Sequence, residues 1–332
     1  MHFDIKINEL QRQIYREQGY WGDATLLDHF NMAVLSYPEK RAIIDNHGRK
    51  FTYKEVNEAS DKFAQFLKET GIEPGDIVSC QLPSWSEFMI IYAACLKTGA
   101  VINPILPNYR ESELYFILNK CESKVFVIPY KFRKFDYSTM CQTIKEEVPS
   151  LKEVVIVEKE EKVEQGVTLD RILTNYDPIE AYGNGNADDV AAVLFTSGTE
   201  SVPKGVMLTH NNIIASEKAY AATFNLTFHD TIFIPSPVAH AIGFHHGVTN
   251  SFLLGATCVL QDIFNPEEAL EMMERERCTL GNASTACTID LLEVLETKQF
   301  DLSSLKFFLC GGAPVPRYLV EKSYEAGFKI IG

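Results

Sequence analysis

Between Leu194 and Asn212 the chain reads LFTSGTESVPKGVMLTHNN, a cluster of hydroxyls, glycines and one lysine set between two apolar runs. Thr196, Ser197 and Thr199 offer hydroxyl donors, and the backbone N–H groups of such a turn can converge on anionic oxygens. Gly198 lets the backbone approach a ligand closely. Pro203 fixes the turn, and Lys204 can reach back as a compact positive charge. That chemistry suits a phosphate. A plain polar turn uses the same residue types, but the added Pro-Lys-Gly between two buried strands favours the phosphate reading. The loop is not a Walker A sequence, because Pro precedes the lysine and a strand, not a helix, follows it. No GxGxxG precedes a helix either.

The elements that must position this loop follow from patterning. Residues 7–18 read as an amphipathic helix, and 42–52 as a hairpin turning at Asn46-His47-Gly48. Thr52 with Glu55 has capping-box spacing for a helix to about Thr70, closed by Gly71. Strand and helix patterns then alternate. Strands fall at 76–82, 100–105, 124–130 and 153–158. The helices between start at Ser84/Glu87 and Asn108/Glu111, with a third over 138–147. A Gly/Asn/Asp/Pro-rich link covers 176–189. Alternation resumes with strands at 190–195, 206–209, 231–234, 256–260, 279–282 and 305–309. Helices are expected near 212–223, 245–254, 266–276, 286–297 and 316–326. This order predicts an α/β fold of mostly parallel sheets with helices on their faces. The closing FKIIG reads as a strand cut off within a fold, so the sequence is expected to be the N-terminal part of a longer protein.

Bulk properties exclude some function classes. The net charge of −14 argues against a broad basic face for nucleic acid or an anionic membrane. Eight cysteines without a CxxC pair read as reduced core residues of a cytoplasmic protein. The N-terminus lacks a secretory pattern, and no apolar run approaches the ~18 residues of a membrane span. No HExxH or other metal-ligand spacing occurs.

The loop resembles the signature of the adenylate-forming superfamily, the acyl-CoA synthetases, luciferases and adenylation domains, whose usual form is T-S-G-[TS]-T-G-x-P-K-G-V. Thr196, Ser197, Gly198, Thr199, Pro203, Lys204, Gly205 and Val206 match it. Glu200 stands where Thr is usual and is expected to point outward. Ser201 replaces Gly, which costs some flexibility. His47–Val56 and Cys95–Val101 resemble further family segments. Together with DIFNPEEAL and FFLCGGAPVP, the chain looks similar to short- and medium-chain fatty acyl-CoA synthetases of enteric bacteria, which also carry Glu at the Glu200 position.

The resemblance implies a two-step reaction in fatty acid metabolism. A carboxylate attacks the α-phosphorus of ATP, pyrophosphate leaves, and coenzyme A then takes the acyl group from the adenylate. ATP and coenzyme A would be co-substrates, with Mg²⁺ as cofactor and a small fatty acid as partner. It assigns the ATP phosphates to Thr196, Ser197, Gly198, Thr199, Glu200 and Lys204. The adenine falls to Gly311, Gly312, Ala313 and Pro314, and the acyl pocket to His240, Gly243, His245, Asn282, Ala283 and Ser284. His240 could equally cap the next helix, and His246 is expected to be structural. No acid follows Phe233, where amino-acid-activating relatives hold the substrate ammonium, so an acid lacking an α-amine is expected. Subdomains of 72–228 and of 20–71 plus 229–332 are implied. The family's Y-G-x-T-E motif, its ribose-binding Asp and its C-terminal lysine are not in the sequence. The chain by itself is therefore expected not to complete catalysis, and no catalytic residue or metal ligand is assigned within it. Two alternatives remain: an aryl or alicyclic acid–CoA ligase, and a non-catalytic nucleotide- or acyl-binding module.

Overall fold

The computed structural model describes residues 7–159, 162–183, 185–196 and 203–332. Among them the strands form two seven-stranded sheets and a two-stranded ribbon. The first sheet runs, in spatial order, Ile330–Ile331, Phe307–Gly311, Leu280–Ser284, Thr231–Ile234, Thr257–Leu260, Arg41–Asp45, Lys50–Thr52. Its pairs are parallel except the last, the hairpin read at 42–52. The second runs Lys204–Thr209, Val190–Thr196, Val101–Pro104, Ile77–Cys80, Val125–Pro129, Glu153–Val157, Val167–Thr168. Here only the first pair is antiparallel. Inner strands are rich in β-branched residues and buried on both faces, as in Val125–Pro129, where every residue is buried, whereas the edge strand Lys204–Thr209, expected to be buried, is exposed from Lys204 to Met207.

One contiguous core joins the facing sides of the two sheets. Ile43, Ile232 and Cys258 of the first and Val78, Ile102 and Val125 of the second meet through helices Tyr53–Glu69 and Glu87–Thr98. Separate clusters cover the outer faces. Phe233, Ala283 and Phe308 pack on one side, Phe126, Ile128 and Ile144 on the other. Strand alternation divides Ile43 from Ile44 between these layers.

Helix Glu87–Thr98 is buried along its whole length. Its two charges are therefore paired. Glu87 meets Arg49 and, at 3.0 Å, Lys159. Lys97 donates to Asp61 Oδ1 at 2.7 Å and to Asn57. The Thr52/Glu55 capping box is present, an arrangement worth about 1 kcal/mol per cap. The helix starts expected at Ser84/Glu87 and Asn108/Glu111 differ from those observed. Ser86 sits at the N-cap of Glu87–Thr98 without a side-chain cap bond, and Ser84 Oγ donates instead to the Ser236 carbonyl at 3.2 Å. Helix Glu111–Lys120 starts from Arg110, whose amide donates to Glu113. The helix expected at 245–254 begins as a π-helix, Ile242–Thr249, before Asn250–Leu254. All eight cysteines are free, and all but Cys287 are buried. Among the described residues no helix is long and apolar enough to cross a membrane.

Candidate active site

The lysine loop is held at its two ends. Thr196 closes the strand Val190–Thr196, Lys204 opens the antiparallel strand beside it, and the two are register partners. Thr196 Oγ1 donates to the Lys204 carbonyl at 3.4 Å, and both residues are exposed. Ser197, Gly198, Thr199 and Glu200 lie outside the described residues. Gly205 has a packing reason: a Cβ there would meet the Phe195 ring at 3.1 Å.

The second group forms at the ends of two parallel strands of the other sheet, where Ser284 is register partner to Gly311. Ser284 is the N-cap of helix Thr285–Leu295, its Oγ accepting from the Cys287 amide at 3.3 Å. Thr285 Oγ1 donates to the Ala313 carbonyl at 3.2 Å, tying that helix start to the Gly311–Pro314 turn. Gly312 sits at φ +80°, which L side chains rarely adopt, and a Cβ on Gly311 would meet nothing within 4 Å. Gly312, Ala313 and Pro314 are exposed. The turn thus presents open backbone, the surface a flat ring could lie against.

The third group surrounds Asn282. Its Nδ2 donates to the Tyr220 hydroxyl at 3.3 Å. Tyr220 stacks on His246, and His246 Nδ1 lies 3.2 Å from Oε2 of the fully buried Glu217. His245 Nδ1 is 3.9 Å from the other Glu217 oxygen, and neither atom has a hydrogen-bond partner among the described residues. Burial lowers the His245 pKa, opposed by the Glu217 charge. Burial also raises the Tyr220 pKa, so the hydroxyl stays protonated at neutral pH. Ala283 lies on the opposite strand face, fully buried in the outer core with Phe308. Its side chain thus faces away from the side that carries Asn282 and Ser284.

The Pro237–Gly243 segment leads into the π-helix, whose first two residues are Ile242 and Gly243. His240 is exposed and its Nδ1 accepts from the Ile242 amide at 3.3 Å, while the N-cap position of the π-helix is Ala241, which makes no side-chain cap bond. Gly243 passes so close to the preceding backbone that a Cβ would stand 2.2 Å from the Pro237 carbonyl oxygen. π-Helical turns concentrate at functional sites.

Thr196, Ser284 and Gly311 all lie at carboxyl ends of strands, and Lys204 joins Thr196 because its strand is antiparallel. Open α/β sheets take their ligands at that edge. Glu217 and Tyr220 were not legible as site residues. They sit three apart on helix His210–Phe224, and their partners His246 and Asn282 are 29 and 62 positions away.

The family model described as AMP-binding enzyme matches residues 30–331. The chain belongs to the AMP-binding enzyme family. It is 44% identical over 331 residues to the medium-chain fatty-acid–CoA ligase of Escherichia coli K12, covering all of this chain and 58% of that protein. A putative acyl-CoA synthetase of Bacillus subtilis is 26% identical, with 87% of this chain and 56% of that protein covered. The chain thus spans a little over half the length of these relatives. Among solved structures, a long-chain-fatty-acid–CoA ligase from Archaeoglobus fulgidus superposes with TM-score 0.82 at 27% identity, over 93% of this chain and 61% of that one. The N-terminal domain of FACL13 from Mycobacterium tuberculosis superposes with TM-score 0.81 at 22% identity, over 92% and 74%. The fold of two mostly parallel sheets with helices on their faces is therefore that of acyl-CoA ligase N-terminal domains.

Proposed function

We propose that the protein carrying this chain is an ATP-dependent fatty acid–CoA ligase acting on medium-chain acids, the substrate class of its Escherichia coli relative. The observation that carries the reading is the pairing of Thr196 with Lys204, which anchors both ends of the hydroxyl-and-glycine loop at the ligand-binding edge of a parallel sheet.

In this reading the loop Thr196–Glu200 and Lys204 hold the β- and γ-phosphates of ATP. A carboxylate and a triphosphate repel, so their approach needs fixed donors and a neutralising charge. The carboxylate oxygen attacks the α-phosphorus, pyrophosphate leaves, and the acyl-adenylate forms. The thiol of coenzyme A then attacks the acyl carbon and AMP leaves. The Gly311–Pro314 turn receives the adenine. His240, His245, Asn282 and Ser284 line the acyl side, and Gly243 sets the path of that wall. Subdomains of 72–228 and of 20–71 plus 229–332 would close around these ligands.

A second reading, an aryl acid–CoA ligase, draws on the aromatic and polar wall made by Tyr220, His246 and Asn282. The test is carboxylate-dependent ATP–pyrophosphate exchange over straight-chain, benzoic and cyclohexanecarboxylic acids. Exchange that peaks with medium-chain acids is expected. A peak with benzoate would favour the second reading, and no exchange with any acid would remove both.

A further inference from the structure

A cavity of about 380 Å³ lies on the outer face of the second sheet, between helix Glu111–Lys120 and the strands Val190–Thr196 and Lys204–Thr209. Small-molecule sites span ~300–1,000 Å³, so its size is sufficient for one. Alternation along Val190–Thr196 turns it away from the core shared by both sheets. Ala192 and Leu194 enter that core, whereas Val193 and Phe195 face outward and line the cavity.

The floor is the strand pair. Val193 is register partner to Met207, and Phe195 to Gly205. A Cβ at Gly205 would stand 3.1 Å from the Phe195 ring and 3.3 Å from Val193 Cγ1. The glycine therefore lets both side chains settle low on the sheet and keeps the space above them open. Phe116 and Cys121 form the opposite wall. Burial pushes the Cys121 thiol up to about 12, so it lines the wall as a neutral group.

The interior is apolar, and it reaches solvent at an edge strand. Met207 is 43% exposed there. A large apolar side chain left in water beside an apolar cavity marks a place for a ligand. The charged lining residues are Lys120 and Lys204, with no carboxylate among the described residues, in a chain whose net charge is −14. Lys120 is exposed, in the last turn of its helix.

This lining suits a ligand with an apolar body and one negative end. An inorganic anion would leave the interior unfilled. A nucleotide would set polar edges against Phe116, Val193 and Met207, which offer them no partner. We propose that this cavity is a second, non-reacting site for an alkyl-chain anion, with the chain between Phe116 and the Val193–Phe195 face and the negative end on Lys120. The occupant would lie against Gly205 and Met207, on the strand that Lys204 opens. Under the proposed function the natural source is the free medium-chain acid, and only that choice rests on the ligase reading.

The probe is decyl sulfate, which has no carboxyl group to activate. It is titrated calorimetrically below its micelle concentration, with neither ATP nor coenzyme A present. Failure of this binding leaves the ligase reading standing, and failure of ATP–pyrophosphate exchange leaves the binding result standing. Saturable binding is expected, roughly tenfold tighter than that of octyl sulfate, the scale of two buried methylenes. Decanol should bind more weakly, and decanoate should displace the probe. Lys120→Glu and Met207→Glu change exposed positions, so each should keep the parent Tm while weakening binding roughly tenfold. A photoreactive analogue with a diazirine at its chain end should label Phe116–Cys121 or Val193–Phe195, which locates the chain even where a variant fails to fold. Labelling of His240–Thr249 or Asn282–Thr285 instead would place the probe on the acyl side and overturn the proposal. So would absence of saturable binding, decanol binding as tightly as decyl sulfate, no displacement by decanoate, or unchanged affinity in both folded variants.

Discussion

Tyr220 lies flat against His246, with ring centroids 4.0 Å apart and planes 11° apart. This contact joins two elements with separate tasks. One side leads from His246 to the buried carboxylate of Glu217, the other from the Tyr220 hydroxyl to Asn282 at a strand end. The orientation of Asn282 is thus set by the helix that follows the Lys204–Thr209 strand, so Asn282 and Lys204 share one support.

Tyr220→Phe keeps the stack and removes the oxygen that accepts from Asn282. The lost hydrogen bond is worth about 1 kcal/mol. If Asn282 helps to hold the acid, KM for the acid should rise about fivefold with kcat nearly unchanged. Steady-state kinetics across the acid series measures this, and an unchanged KM would detach Asn282 from the acyl pocket.

Lys204→Ala should slow adenylate formation roughly 100-fold, the usual scale for removing one preorganised charge or donor. ATP–pyrophosphate exchange at saturating acid reads it directly. A rate equal to that of the parent would make the lysine peripheral to the reaction.

Sequence carried the fold where information is local. The hairpin turn at Gly48 and the helix ends at Gly71 and Gly99 lie at positive φ as their patterns require. The Thr52/Glu55 box forms for the same reason. Ser84/Glu87 has identical spacing, yet Glu87 is drawn away by Arg49 and Lys159, charges that only the tertiary fold brings near. Helix Leu26–Ser36 was not read, although Thr25 and Asp28 form a capping box at the same spacing with the shorter acid. The π-helix was not legible, and the backbone at its second residue, Gly243, passes close to the Pro237 carbonyl, a contact the local pattern does not encode. In the site, the Lys204 loop was legible by motif, whereas Glu217 and Tyr220 acquire meaning only through distant partners.

Acid should weaken the fold through His210. Its Nδ1 accepts from the Leu26 amide at 3.2 Å. Burial, opposed by Asp189 and Asp28, lowers its pKa to about 4. The unfolded value is near 6.5. The folded-state pKa is the lower one, so this stability is whole above about pH 6.5 and is lost as pH falls toward about 4, some 3 kcal/mol in all. His29 and His245 are lowered by burial too and add to the same limb. His210→Asn keeps an acceptor and cannot titrate. Urea unfolding between about pH 7.5 and about pH 4.5 should show a shallower loss for this variant. Parallel curves would remove His210 as a cause.

Two glycines separate packing from ligand contact. At Gly243 an added methyl group would stand 2.2 Å from the Pro237 oxygen and 2.8 Å from the Ser236 oxygen, both backbone atoms with little room to yield. Gly243→Ala should therefore cost about 1–3 kcal/mol and displace His240 along with the turn. At Gly311 the same methyl group meets nothing within 4 Å. Gly311→Ala should leave Tm within about 1 °C of the parent, because no contact or φ opposes it. A methyl group would nevertheless stand where the adenine is proposed to lie, so KM for ATP should rise severalfold. Thermal unfolding and ATP titration of both variants distinguish the cases. A Gly311→Ala protein with unaltered ATP kinetics would move the adenine elsewhere, and an unaltered Tm for Gly243→Ala would show that the Pro237 turn yields to a methyl group.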